Sequence, residues 1–179
     1  GMRGDPLRPV IAELGLRGLF VEPQPEPFEK LRRNYESLDG YQFAQVAVTE
    51  EDGPVIMTTA TSRTTLGTID PSRNLMRNRR EDVAQIEVRG LTFESLMREY
   101  GIERAEIFQI DTEGFDYKIL KQIPLGPIGA EVVNMEFFCL PLSERIAAFD
   151  HFDAAGFAWF FGGMDLLAVR RATFEDRFC

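Results

Sequence analysis

Short β-type apolar runs alternate with segments of helical apolar spacing along almost the whole chain, and this alternation restricts the fold more than any other feature. Such a chain builds a parallel sheet with helices packed on its faces. Asp5-Pro6 opens a helix that sets Leu7, Val10, Ile11 and Leu14 on one face and stops at Gly15. GLFVEP (18–23) reads as a short buried strand. The helix after QPEP carries Phe28, Leu31 and Tyr35 inward. YQFAQVAVT (41–49) reads as a strand, and the turn EEDG returns into PVIMTTA (54–60) as its antiparallel neighbour. QIEVRG, AEIFQID and EVVNMEFF follow as strands, separated and followed by the helices TFESLMREYG, FDYKILKQI and SERIAAFDHFDAAG. The closing strands FAWFF and LLAVRR are joined by GGMD, a connection short enough to make them an antiparallel hairpin. Residues 60–83, with arginines from Arg63 to Arg80, are polar and form a candidate mobile lid. No internal repeat or low-complexity tract is present.

With 44% hydrophobic residues and 15 Phe in 179 residues, the chain has material for one core, so a single domain over 1–179 is expected. A net charge of -9 repels a nucleic-acid backbone or an anionic membrane surface, which leaves small molecules and other proteins as partners. Cys139 and Cys179 provide neither a disulfide framework nor a zinc site. No apolar run reaches the length of a membrane span and no secretion signal opens the chain, which points to the cytoplasm. Gly1-Met2 reads as an expression remnant before an initiator methionine, and an internal truncation would leave the same trace.

In open α/β sheets, ligands bind beyond the carboxyl ends of the strands. Four acids fall there: Glu22, Asp111, Glu113 and Glu136. Glu22 is placed to accept hydrogen bonds from both hydroxyls of a ribose, with Pro23 setting the direction of the loop; it also reads as a strand-end acid meeting solvent or an arginine. Asp111 and Glu113 precede Gly114, which permits a tight turn and close approach of a ligand. The bland account of this stretch is helix capping, by Asp111 or Thr112, with Glu113 and Asp116 in the first turn. Glu136, inside MEFF, is costly to bury without a partner or a ligand. Asp111, Glu113 and Glu136 have the hard oxygen chemistry of a magnesium or calcium site, but no metal is assigned. His151, beside Phe149 and Phe152, reads as a surface or packing residue, and Trp159 as core. No serine-hydrolase elbow, phosphate loop or zinc-protease motif occurs.

The blocks GDPLRPVIAELGLRGLFVEPQPEPFEKLRRNY, VAVTEEDG, LTFESLMREYGIERAEIFQIDTEGFDYKIL and VVNMEFF together resemble the FkbM family of S-adenosylmethionine-dependent methyltransferases. The resemblance runs from about residue 4 to residue 138, and its most specific parts are VEPQP and IDTEGFDYKIL. It implies a class I methyltransferase-like (Rossmann-like) α/β fold, a mostly parallel sheet with helices on both faces and an antiparallel C-terminal hairpin. It implies S-adenosylmethionine as cofactor, with Glu22 on its ribose and Ala47 and Val48 near its adenine. Asp111, Glu113 and Glu136 would line the methyl-transfer cleft, with Asp111 also near the cofactor. The implied reaction is methyl transfer to a hydroxyl oxygen of a sugar, polyketide or similar small molecule.

The chain departs from this pattern at its start, where the family's glycine-rich loop and the strand before it are absent or reduced to Gly1-Met2-Arg3-Gly4. The missing first strand would lie between GLFVEP and AEIFQID and leave two ladders of backbone groups unpaired. Either those strands close on each other, or another chain covers the gap as in a homo-oligomer, or the natural protein begins upstream. The last is the expectation. The alternative to an enzyme is a methyltransferase-fold binding or scaffolding domain without turnover.

Overall fold

A computed structural model of the chain describes residues 11, 13–37, 39–60, 67–70 and 83–173. Its strands are β1 (Gly18–Val21), β2 (Tyr41–Ala44), β3 (Ala47–Val48), β4 (Gly53–Ala60), β5 (Gly67–Thr68), β6 (Val83–Leu91), β7 (Ile107–Ile110), β8 (Val132–Glu136), β9 (Phe157–Gly162) and β10 (Asp165–Arg170). The principal helices are α1 (Pro25–Tyr35), α2 (Phe93–Tyr100), α3 (Asp116–Leu120) and α4 (Leu142–Ala154). Residues 11, 13 and 14 are helical and Gly15 follows at φ 59°, as the opening pattern predicts. The start of that helix and most of the 60–83 lid lie outside the described residues. Among the described residues no helix is long and apolar enough to cross a membrane.

The fold is mixed α/β. In place of one mostly parallel sheet, the strands form three: β1-β2, β3-β6-β4-β5 and β7-β8-β10-β9. The pairs β1-β2, β3-β6 and β7-β8 are parallel; every other pairing is antiparallel.

The stretch 41–49 is not one strand, which corrects the expected hairpin with 54–60. The chain breaks at Gln45-Val46, where Val46 is buried with Ala44, Leu91 and Leu96. Beyond the break, β3 pairs in parallel with β6, and β4 pairs with the other side of β6 from Gly53↔Gly90 to Ala60↔Val83. This long antiparallel ladder gives β4 far more backbone bonds than the two-residue β3 could offer. Gly90 makes the junction possible, since a Cβ there would sit 2.7 Å from Thr49 Oγ1 and 2.8 Å from the Gly53 carbonyl oxygen.

The third sheet contains the expected hairpin. Asp165 pairs with Gly162, so Gly163 and Met164 form the turn. Ile110, Val133, Met135, Phe157, Leu166 and Ala168 lie in one core cluster with Ile119 and Leu120 of α3 and Ala148 and Phe152 of α4. The alternate positions look outward, with Ile107 58% and Phe160 45% exposed. Among the described residues this sheet is therefore covered by helices on one face, not two. β1 pairs only with β2 and β7 only with β8, so the direct closure of β1 on β7 is not observed among the described residues. Val48, Ile69 and Met97 each pack against two of the three core clusters and tie the sheets together.

Candidate active site

The loop after β7 is shaped by a buried acid. Asp116 is fully buried, and its carboxylate accepts the backbone N–H of Thr112 at 3.1 Å and of Gly114 at 3.0 Å. Glu113 at φ 53° and Gly114 at φ 107° reverse the chain between these donors, and Glu113 is the one non-glycine residue with positive φ among the described residues. Burial pushes the Asp116 carboxyl up to about 6, against the pull of its N–H donors and with a further push from the Glu136 charge.

This arrangement corrects the expected N-cap, while Asp116 does stand in the first turn of α3 as expected. The residue preceding α3 is Phe115, with no side-chain cap, and neither Asp111 nor Thr112 caps the helix. The backbone donors of this turn are taken by Asp116 from inside. Asp111 is thereby spared a structural role: it is exposed and accepts no hydrogen bond among the described residues. Partial desolvation and the nearby Asp165 charge raise its pKa.

At the adjacent strand end, Glu136 Oε1 accepts a hydrogen bond from Cys139 Sγ at 3.0 Å, while Oε2 is buried with no partner among the described residues. Burial raises the Glu136 pKa, the Cys139 bond opposes this, and Asp111 and Asp165 add to the rise. The Cys139 thiol is pushed up to about 12 by burial, by its bond to Glu136 and by the acids around it, so it holds its proton. Ligand atoms of Glu113, Glu136 and Cys139 lie within 4.8 Å of one another. That spacing would admit a cation, but a protonated thiol donating to Glu136 fits a hydrogen-bonded group better.

The structure thus brings Asp111, Glu113 and Glu136 to one end of the β7-β8 pair. It adds Asp165, which the sequence reading left inside the GGMD turn. Asp165 is opposite Glu136 in the β8-β10 ladder, and Asn134 Nδ2 donates to Asp165 Oδ2 at 3.1 Å and to Gln109 Oε1 at 3.0 Å. Counting the hairpin register back from Gly163-Met164 was the signal that could have found it.

Glu22 stands apart from these acids, at the end of β1. Its backbone N–H donates to the Ala44 carbonyl at 3.0 Å, and its Oε1 accepts from the Gln24 N–H at 2.7 Å. Half-burial raises its pKa, and none of the acids at β7 and β8 contributes to the shift. Pro23 beside it is half-buried. Gln24 is buried against β5, since a Cβ on Gly67 would lie 3.1 Å from its Nε2. Two residues past β5, Asp70 pairs with Lys118 of α3 at 3.3 Å, and Lys118 lies 4.8 Å over the Phe115 ring. The segment 67–70 therefore connects the loop after Glu22 to the loop after Asp111. Ala47 is buried with Met57 and Val88, and Val48 is half-buried between two clusters. His151 is a packing residue, edge-on to Phe152 at 6.3 Å with its pKa lowered by burial, and Trp159 stacks on Phe149 at 4.3 Å.

No curated protein and no solved structure matches the chain at a significant level. The model of the methyltransferase FkbM domain matches residues 4–151, a span that takes in Glu22, the loop after β7 and Glu136, and the family implies a methyl donor. The chain belongs to the methyltransferase FkbM domain family.

Proposed function

We propose that this chain transfers a methyl group from S-adenosylmethionine to a hydroxyl oxygen of a small molecule such as a sugar or a polyketide. The observation that carries this reading is the set of carboxylates at the carboxyl ends of β7 and β8, within the span matched by the family. Glu22 fits the cofactor's ribose. It is a half-buried carboxylate at a strand end whose one hydrogen bond among the described residues is to Gln24, so acceptor capacity remains for two vicinal hydroxyls. Pro23 would set the direction of the loop beside it, and Ala47 and Val48 would lie near the adenine. When bound, S-adenosylmethionine supplies an electrophilic methyl group.

The chain's own residues must align the acceptor oxygen and receive its proton. Asp111 suits that role, because it has no hydrogen-bonded duty among the described residues and its raised pKa makes it a stronger base than an ordinary aspartate. Glu136 Oε2 would accept a hydrogen bond from the ligand, and Glu113 would line the same cleft. The test is incubation with S-adenosylmethionine and a panel of hydroxylated small molecules, read by mass spectrometry. A methylated product with an equal amount of S-adenosylhomocysteine supports the reading. Cofactor binding with no product across the panel would instead leave a binding domain.

A further inference from the structure

Two aromatic rings stand exposed beside the acids of the candidate active site. After Glu136 the chain turns over Phe137 and Phe138, and the Cys139 thiol closes the turn by donating to Glu136 at 3.0 Å. Phe137 points inward, 2% exposed, and Phe138 outward, 40% exposed. Near the end of β9, Phe161 is 53% exposed, with its ring centroid 5.8 Å from that of Phe138. The pair is firmly held. Phe161 rests against Phe137 at 5.6 Å and meets Trp159 edge-on at 5.9 Å, and Trp159 in turn stacks on Phe149. The Arg145 guanidinium lies 5.2 Å over the Phe138 ring, fixed by the carbonyls of Leu140 and Phe138. The Met164 carbonyl accepts the N–H of Phe137 at 3.1 Å and of Phe138 at 3.3 Å, which joins this turn to the hairpin that carries Asp165, the residue opposite Glu136.

A lone apolar side chain on a surface is ordinary, but two contacting rings set on a buried aromatic base are a preformed face for another flat ring. Their place decides what that ring belongs to. They border the strand end where the carboxylates sit, with Phe138 at most about 8 Å along the chain from Glu136, within the span of one small aromatic molecule. The proton chemistry agrees. A carboxylate is a weak base, better matched to a phenol, whose pKa is about 10 as in tyrosine, than to the far less acidic hydroxyl of a sugar.

We propose that Phe138 and Phe161 form the acceptor platform of this cleft, and that the acceptor is a phenol on a flat aromatic ring rather than a sugar. The inference rests on the methyl-transfer reading above and narrows it. In the transfer the phenolic oxygen bonds to the methyl carbon, the donor's S–C bond breaks with its electron pair left on sulfur, and the phenolic proton passes to Asp111.

The test is calorimetric titration of naphthol, and of methyl glucoside for comparison, into the chain saturated with S-adenosylhomocysteine. Naphthol should bind at least about ten-fold more tightly than the glucoside. Phe138→Leu and Phe161→Leu keep an apolar side chain but remove the ring. Each should weaken naphthol by about five-fold with S-adenosylhomocysteine affinity unchanged, a combination that a damaged fold would not give. With S-adenosylmethionine supplied instead, mass spectrometry should find methylated naphthol. Equal affinities for the two probes, naphthol affinity unchanged in either variant, or an absence of methylated naphthol would overturn the proposal; methylated glucoside in that last case would leave methyl transfer itself standing. Wild type that sediments as a dimer, with Phe161→Leu a monomer, would assign the rings to a second copy and overturn it too. Should a variant lose S-adenosylhomocysteine, the wild-type comparison of the two probes decides. Wild type that fails to bind S-adenosylhomocysteine would overturn the cofactor reading, and this inference with it.

Discussion

Gly114 donates its backbone N–H to the carboxylate of Asp116 at 3.0 Å, closing the turn that presents Asp111 and Glu113 at the end of β7. An acid with no exposed surface thus organises a loop of acids that do have access to ligand. Burial raises its pKa, so the proton is held more tightly in the folded chain than by an ordinary aspartate.

Asp116 should make stability depend on pH in a defined direction. Its pKa is raised from 3.8 to about 6 in the folded chain. Below pH about 4 both states hold the proton and its contribution is fully present; between about 4 and 6 the unfolded chain ionises first, so stability falls as pH rises, then levels off. The loss amounts to roughly 3 kcal/mol. Urea unfolding of wild type and Asp116→Asn across that range measures it: the stability of wild type relative to the variant should decline by about this amount, whereas a difference that stays constant with pH would contradict the burial account.

Glu113 holds a left-handed backbone that costs a side chain energy and costs glycine nothing. Glu113→Gly should therefore be more stable than Glu113→Ala by about 1 kcal/mol, the reverse of the usual order. Chemical denaturation of both variants tests this. A more stable alanine variant would mean the turn relaxes when the glutamate is removed.

Asp111→Ala should lower turnover by roughly a hundred-fold or more, while S-adenosylhomocysteine affinity stays within about two-fold. Initial rates on any acceptor found active, paired with calorimetry, separate the two effects. Loss of affinity in step with rate would make Asp111 a cofactor ligand rather than the group that handles the acceptor proton.

Gly90→Ala should destabilise the chain by about 2 kcal/mol, because the new methyl meets the Gly53 carbonyl oxygen, part of the backbone, at 2.8 Å. Thermal unfolding measures this directly. A neutral substitution would show that the β3-β6-β4 junction can open without penalty.

Features set by neighbouring residues were legible in the sequence. The expected helix TFESLMREYG is bounded by Thr92, which accepts the Ser95 N–H, and by Gly101 at φ 65°, and the β9-β10 hairpin turns inside the expected GGMD, over Gly163-Met164 alone. Choices among distant partners were not legible. Nothing local reveals that β6 lies between β3 and β4, because pairing is decided by competition between strands far apart in sequence. The site divides in the same way. Asp111, Glu113 and Glu136 converge because parallel neighbours end on the same side, so reading strand ends was sufficient for them. Asp165 depended on which strand β10 would join, and Asp116 was legible as a first-turn acid of α3 but not as the acceptor that closes the turn before it.

The most direct test of the central claim is calorimetric titration of S-adenosylhomocysteine into this chain and into Glu22→Ala. The account predicts a micromolar dissociation constant, about -8 kcal/mol, for the wild type and an affinity at least about ten-fold weaker for the variant. No saturable binding to the wild type would contradict a cofactor site in this chain, and equal affinity in both proteins would contradict the assignment of Glu22 to the ribose.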